Sequence, residues 1–330
     1  MSDDLFRPRP TRREFLALGA GVFALLALPV ALRRRYTLVR RSFPVMGTVA
    51  EVQVAHANAL VAEQAIDQAI AALRWVERTM TRFRADSDIG RVNLGAAREG
   101  VVVSAETGAV IARALEWSVA SDGAFDPAIG ATSVLWDVAN RHAPPPEEQV
   151  HRLAGRGLWR HLDVARHAGG AVVRFDDPDV QLDLGGIAKG FGIDRAVASL
   201  RAQRIAHALV TVGGDLYCLG PTPDGDPWRV GIRDPHRPGA LAGELEVADL
   251  AVTTSGDYER FFTSAGVRYH HLMDPATGAP RRSPIHSVTV QGATCMDADA
   301  AATAVFGMPA DAARRVARRL LPDATVISLT

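Results

Sequence analysis

The chain has 330 residues, 48% of them hydrophobic, and its 37 basic and 37 acidic side chains balance to a formal charge of zero. That length suffices to bury a large core in one domain or in two intimate subdomains. No block of like charge marks the body of the chain, so the composition argues against a nucleic-acid partner, which needs a basic face. Two cysteines, Cys218 and Cys295, are too few and too far apart for a zinc motif or a disulfide framework. Both are expected in apolar strands as small buried residues.

The segment "PTRREFLALGAGVFALLALPVALRRRY" starts with the pair Arg12 and Arg13, continues with Phe15 and Leu16, and stays apolar to Leu32. That order is the order of an export signal, and the arginine pair followed by Phe-Leu resembles a twin-arginine signal. A membrane anchor is the alternative. The run is about as long as a minimal spanning helix, and "LPVALRRR" has no small-x-small cleavage site ahead of its arginines. Either way the body of the protein is expected outside the cytoplasm, in a bacterial periplasm. Residues 1–35 are therefore read as signal or anchor, and 36–330 as the working domain.

Strands and helices then alternate. "FPVMGTVAEVQVA" alternates as a strand does. In "ALVAEQAIDQAIAALRWVERTMTRF", Ala62, Ala65, Ile66, Ala69, Ile70, Leu73 and Val76 recur at helical spacing. "SAETGAVIARALEWSVASDG" predicts a second helix, with Ser104 as N-cap and Gly123 just past its end. "NRHAPPPEEQVHRL" reads as a surface loop entering a short helix. Strands dominate afterwards in "HALVTVGGDLYCLG", "PWRVGIRDP", "GELEVADLAVTTSG", "VRYHHLMDP" and "HSVTVQGA". A helix is expected from about Asp299, followed by another in "PADAARRVARRLL". Helices early and runs of strands later predict an α+β, or mixed α/β, domain rather than a strict βαβ wind.

Two polar features stand out. "DLGGIAKG" puts a glycine turn between the apolar stretch "VVRFDDPDVQLDL", read as a strand, and the helical "FGIDRAVASLRAQ". Such a turn either lets the backbone approach a phosphate or is a plain tight connection. It is not a Walker A loop, because its lysine is out of frame. In "TCMDADAAATAV", Asp299 and Thr303 are i and i+4 on one helix face. A carboxylate and a hydroxyl among alanines suit Mg²⁺. The alternative is an N-capping Asp with a Thr bonded back to its own helix.

The ordered set "FPVMGT", "TRFRADSDIGRVN", "DGAFDPAIG", "DLGGIAKGFGIDRA", "VGGDLYCLG", "WRVGIRDP", "TTSGDYER", "YHHLMDPATGAP", "SVTV" and "ADAAATAVF" resembles the ApbE family, the FAD:protein FMN transferases. The resemblance spans about residues 42–310. It implies an ApbE-like fold of two closely packed subdomains with the flavin site between them. It also implies an enzyme that splits FAD with Mg²⁺ and joins the FMN half, through a phosphoester, to a Thr or Ser of a target protein. AMP leaves. The acceptor expected for an exported member is a subunit of a membrane-linked redox complex. A periplasmic FAD-binding or electron-transfer module without catalysis is the rival reading.

Residues carry over motif by motif. Met46 matches a flavin-contacting methionine, and Phe83 falls where the family has an aromatic against the cofactor. Ala124, Phe125 and Asp126 match the segment lining the adenine side. Asp183 and Lys189 flank the glycine turn and match FAD contacts. Ala188, through its carbonyl, and Asp299 and Thr303, through side chains, match the metal ligands. His271 and Leu272 match residues at the cofactor. Lys189 would offset pyrophosphate charge, and glycines 185, 186 and 190 would let the chain approach. His271 is the candidate base, since an ordinary imidazole titrates near neutrality; the alternative is that it only packs against the cofactor or bonds to it. His270 is expected on the opposite strand face, meeting solvent or packing. Asp215 is read as capping a turn, and Asp257 and Tyr258 receive no role. Two departures stand out. "IGATSVLWDVAN" lacks the family's usual proline and Gly-Phe pair, and no lipobox cysteine is present.

Overall fold

The structure is a computed structural model that describes residues 35–330. The signal or anchor expected over residues 1–35 lies outside the described residues, Arg35 excepted. Among the described residues, no helix is long and apolar enough to cross a membrane.

A seven-stranded sheet forms the centre, in the order β1-β2-β6-β7-β10-β15-β16. The strands are β1 (Thr37–Val45), β2 (Thr48–His56), β6 (Ala208–Val212), β7 (Asp215–Leu219), β10 (Leu250–Gly256), β15 (Ser287–Gly292) and β16 (Thr325–Leu329). Every pairing in it is antiparallel. A second sheet joins β3 (Val101–Val103), β5 (Gly170–Phe175) and β4 (Leu162–His167). Three two-stranded ribbons complete the β structure: β8 (Trp228–Arg233) with β9 (Leu241–Val247), β11 (Phe261–Ser264) with β12 (Val267–His270), and β13 (Met273–Asp274) with β14 (Ala279–Pro280). The mixed α/β class expected from the sequence is the class observed.

Helices cover one face of the large sheet. α1 (Ala59–Met80) lies on β1 and β2; α6 (Ala188–Ala202) lies on β6 and β7; α7 (Cys295–Val305) lies on β10 and β15. The three also pack on one another, with α6 in the middle. The apolar stripe of α1 dictates this: Ala62, Ala65, Ile66, Ala69, Ile70, Leu73 and Val76 are all buried. The opposite sheet face buries Leu209, Leu216, Cys218 and Val252 under the β8–β9 ribbon, where Trp228, Val230 and Val247 meet them. Helices α2 (Asp88–Gly95), α3 (Ala105–Ala120), α4 (Gly130–Trp136), α5 (Glu147–Leu153) and α8 (Ala310–Ala317) surround this frame.

Local signals behave as read. Ser104 caps α3 by accepting from the Thr107 N–H, and Gly123 follows the helix at φ +79°. Other expectations are corrected. "VVRFDDPDVQLDL" is not one strand: β5 ends at Phe175, and beyond it only a single bridge, Gln181 to Ile129, is sheet-like. Pro178 has no N–H to donate, and Asp177 turns its carboxylate to the Asp179 N–H instead. "HALVTVGGDLYCLG" is a hairpin of two strands, β6 and β7. The last helix but one starts at Cys295 rather than Asp299, so Cys295 opens a helix while Cys218 sits in a strand. Both cysteines are buried free thiols.

Candidate active site

The centre of the site is an ammonium held between two buried carboxylates. Lys189 Nζ lies 2.8 Å from Asp299 Oδ1 and 2.8 Å from Asp215 Oδ2. The second Asp299 oxygen accepts the Gly190 N–H at 3.1 Å. Asp299 is therefore no N-cap. Thr294 caps α7, and Asp194 of α6 accepts the next two N–H groups, from Cys295 and Met296. Those bonds from α6 fix where α7 begins, and hence where Asp299 and Thr303 stand.

Burial sets the electrostatics. It pushes the Asp215 carboxyl up to about 7; Lys189 opposes this, and Asp299 adds to it. Burial acts to lower the Lys189 ammonium, but the Asp215 and Asp299 charges outweigh it and the net shift is upward. The lysine is thus charged at neutral pH, facing two carboxylates.

The glycines of the turn serve close approach, not unusual backbone angles. Positive φ occurs at neither Gly185, Gly186 nor Gly190. A Cβ on Gly190 would fall 2.2 Å from the Cys295 carbonyl oxygen, and one on Gly186 would fall 3.1 Å from both Phe125 and the Thr303 Oγ1. The helix starts earlier than read, at Ala188, so Ala188, Lys189 and Gly190 form its first turn. Most amides here are already used within the protein. Gly185 N–H goes to Asp183, and those of Ile187 and Ala188 go to the Leu184 carbonyl. The turn's geometry brings Phe125 and Thr303 against it and Asp299 against Lys189.

The remaining expected residues ring this centre. Met46 and Gly47 form the two-residue turn of the β1–β2 hairpin, both at positive φ (51° and 68°). The Met46 N–H donates to Glu77 of α1 at 2.6 Å, and a Cβ on Gly192 of α6 would meet Met46 Cε at 2.7 Å. A non-glycine residue at positive φ is strained, and such strain gathers at functional sites. The Arg260 guanidinium donates to the Gly47 carbonyl at 2.7 Å, and the Arg260 carbonyl accepts the His271 N–H at 3.1 Å. His271 thereby joins the hairpin turn.

On the other side, Arg281 ties three pieces together. It donates to the carbonyls of Ala124 (2.9 Å) and Phe306 (2.5 Å), and its own N–H donates to the Leu272 carbonyl at 2.9 Å. Phe125 and Asp126 are buried behind Ala124. Burial raises the Asp126 carboxyl to about 6, against the Ala128 and Trp159 N–H groups and the Arg160 charge. Asp183 donates its own N–H to the Pro127 carbonyl and pairs with Arg82 at 3.1 Å. Arg82 in turn lies over the ring of Phe83, which is 63% exposed at the lip. Direct contacts thus bring Met46, Phe125, Asp183, Asp299 and Thr303 to the glycine turn and α6, while Arg82, Arg260 and Arg281 link Phe83, His271, Leu272 and Ala124 to neighbouring loops.

Two expectations change. Asp215 does not merely cap a turn: it is the second anion on Lys189. Its signal was a carboxylate opening "DLYCL", a strand whose five residues are all buried. Of the two readings of His270, solvent or packing, packing is the one found: it is buried. Its Nε2–H donates to the Arg281 carbonyl at 2.8 Å, and its Nδ1 accepts the Leu272 N–H at 3.2 Å. His271 is reached by solvent, although protein surrounds it closely. Burial, then the Arg260 charge, lowers its pKa below the ordinary imidazole range. Asp257 also acquires contacts, to His286 at 2.7 Å and Arg268 at 3.2 Å. Trp136, in the departing "SVLWDV" stretch, donates to the Gly278 carbonyl and stacks on Tyr269.

A helix-covered antiparallel sheet with a lysine–dicarboxylate centre defines the class, and comparison with known proteins specifies it. The family model described as "ApbE family" matches residues 46–327. The chain is 37% identical to the FAD:protein FMN transferase of Treponema pallidum, over 83% of this chain and 80% of that protein. It is 33% identical to that of Vibrio cholerae, over 82% and 81%. Among solved structures, the ApbE protein of Thermotoga maritima superposes with a TM-score of 0.79 at 28% identity, covering 88% of this chain and 94% of that one. The Vibrio cholerae flavin transferase ApbE superposes at 0.77 and 29% identity, covering 89% and 93%. The chain belongs to the ApbE family and is an enzyme of the transferase class.

Proposed function

We propose that the protein is a Mg²⁺-dependent FAD:protein FMN transferase. A Thr or Ser hydroxyl of a target protein attacks the FMN phosphorus of FAD. The new P–O bond is the phosphoester, the pyrophosphate bond breaks, and AMP leaves. The observation that carries this is the Lys189 ammonium fixed at the start of α6 beside Asp299, with Thr303 against Gly186 of the same turn, in a chain matched to this family along most of its length.

The residues suit the metal. Among the described residues, no group of three or more His, Cys, Asp or Glu side chains is arranged for an ion. The proposed ligands instead combine the Asp299 carboxylate, the Thr303 hydroxyl and the Ala188 carbonyl, an all-oxygen set of the kind Mg²⁺ takes along with water. Two carboxyl groups face one ammonium there, and a bound dication would favour their ionised forms. Bound there, Mg²⁺ would offset charge on the pyrophosphate oxygens.

Phosphoryl transfer asks the protein mainly for positioning and charge. Lys189 supplies fixed positive charge. Met46 holds the flavin and Phe83 lies against the cofactor, Ala124, Phe125 and Asp126 line the adenine end, and Asp183 and Leu272 contact FAD. FAD would lie between the hairpin turn and the Ala124–Asp126 loop. His271 takes the proton of the attacking hydroxyl. A carbonyl only accepts, so the long 3.4 Å contact of His271 Nδ1 with the Arg260 carbonyl favours a proton on Nδ1 and a lone pair on Nε2.

Single-turnover rates at saturating FAD test this, with dissociation constants measured separately. His271→Asn is expected to slow the chemical step by roughly 10²–10⁴-fold while FAD affinity changes little. Surrounding protein and the Arg260 charge lower the His271 pKa, so any rate rise it contributes is expected at lower pH than for an ordinary imidazole. An unchanged saturated rate removes His271 as the base. Asp299→Ala is expected to abolish transfer, and full activity of that variant at low Mg²⁺ removes the metal assignment.

The remaining proposals concern place. We assign residues 1–35 to twin-arginine-type export or an inner-membrane anchor, and 36–330 to the transferase domain, working in the periplasm. The acceptor proposed is a flavin-carrying subunit of a membrane-linked redox complex.

A further inference from the structure

We infer that Asp215 is a positioning residue that retains Lys189 when Asp299 turns to a divalent cation. This rests on the reaction and the metal ligands proposed above, but Asp215 itself comes from the fold. The β6–β7 hairpin pairs Val212 with Asp215 across the Gly213–Gly214 turn, so Asp215 opens a fully buried strand. Its carboxylate is 3% exposed. The Oδ1 atom has one long contact, from the Thr254 N–H at 3.4 Å. Beyond its ion pair with Lys189, Oδ2 is buried with no hydrogen-bond partner.

The Lys189 ammonium has three N–H donors and three oxygens around it: Asp215 Oδ2, Asp299 Oδ1 and, at 3.5 Å, the Gly185 carbonyl. A cation binding Asp299 competes with the ammonium for Oδ1. With Asp215 present, Lys189 keeps one full ion pair and the Gly185 carbonyl, and Asp299 is released. Without Asp215, Asp299 is the last anion on a mostly buried lysine. Stripping a buried ammonium of its only counter-charge is costly, so the Lys189–Asp299 pair would persist and exclude the cation.

Mn²⁺ titration, read by loss of the free-ion electron paramagnetic resonance signal, measures this without turnover. The full domain is used as wild type, Asp215→Asn, Lys189→Met and the double variant, with thermal unfolding followed for each. Partners behind metal ligands typically change affinity by about 10–100-fold, and a loss of that size is expected for Asp215→Asn. In the Lys189→Met background the same substitution is expected to change affinity by less than about threefold, because there is no lysine left to hold. Unchanged affinity in Asp215→Asn overturns the inference. So does an equal loss in both backgrounds, which would be a bare charge effect. Should Asp215→Asn not fold, Asp215→Glu carries the test. It keeps the charge and is expected to bind within about threefold of wild type, and a loss of 10-fold or more overturns the inference. No Mn²⁺ binding by the wild type overturns the metal reading, and this inference with it.

Discussion

Asp126 shows how burial at one residue writes a pH dependence. Its carboxyl is raised to about 6 in the folded protein, against about 3.9 in an unfolded chain. Between those values the native state binds more protons than the unfolded state. Stability contributed by Asp126 is therefore present at low pH and lost as pH rises through about 4 to 6. Two units correspond to about 3 kcal/mol. Urea denaturation of wild type and Asp126→Asn from pH 4 to 7 is expected to show the variant gaining relative stability as pH rises. Parallel curves would contradict this. The chemistry of such residues was only partly legible. Asp299 and Thr303 stand out by spacing, and Lys189 by its place among glycines. Asp215 does not, since a carboxylate after Gly-Gly looks like turn chemistry until long-range pairing of β7 with β10 buries it. His271 likewise reads as an ordinary imidazole until the fold packs protein around it and brings Arg260 beside it.

At the scale of elements, the α6–α7 contact decides the site. Glycine inside a helix costs about 1 kcal/mol relative to alanine, so Gly190 needs a reason. The Cys295 carbonyl oxygen, 2.2 Å from where its Cβ would sit, supplies it. Gly190→Ala is expected to destabilise the protein by about 1–3 kcal/mol through overpacking. It should also weaken cation binding by moving Asp299. A urea midpoint equal to or above that of wild type would contradict this packing. The helices were the legible elements, because α1 and α3 carry their periodicity and caps within a single segment. The strand expected before the glycine turn failed for a local reason, the Asp177–Pro178–Asp179 run. That run is drawn to Arg156 rather than into a ladder.

Over the whole molecule, strand order was not legible, since β2 pairs with β6 and β10 with β15 across long stretches of chain. Delivery is a whole-molecule property too. If the arginine pair is read by a receptor rather than by charge, Arg12→Lys with Arg13→Lys is expected to leave the precursor in the cytoplasm. Periplasmic delivery of that variant would indicate a different route. The central claim is transfer itself, and one assay addresses it. The purified protein is incubated with FAD, Mg²⁺ and a flavin-accepting domain. Products are read as AMP by chromatography and as covalent flavin fluorescence on a denaturing gel. The account predicts AMP and labelled acceptor in equal amounts, both lost on chelation of Mg²⁺. FAD binding with neither product would contradict it and leave a flavin-binding module.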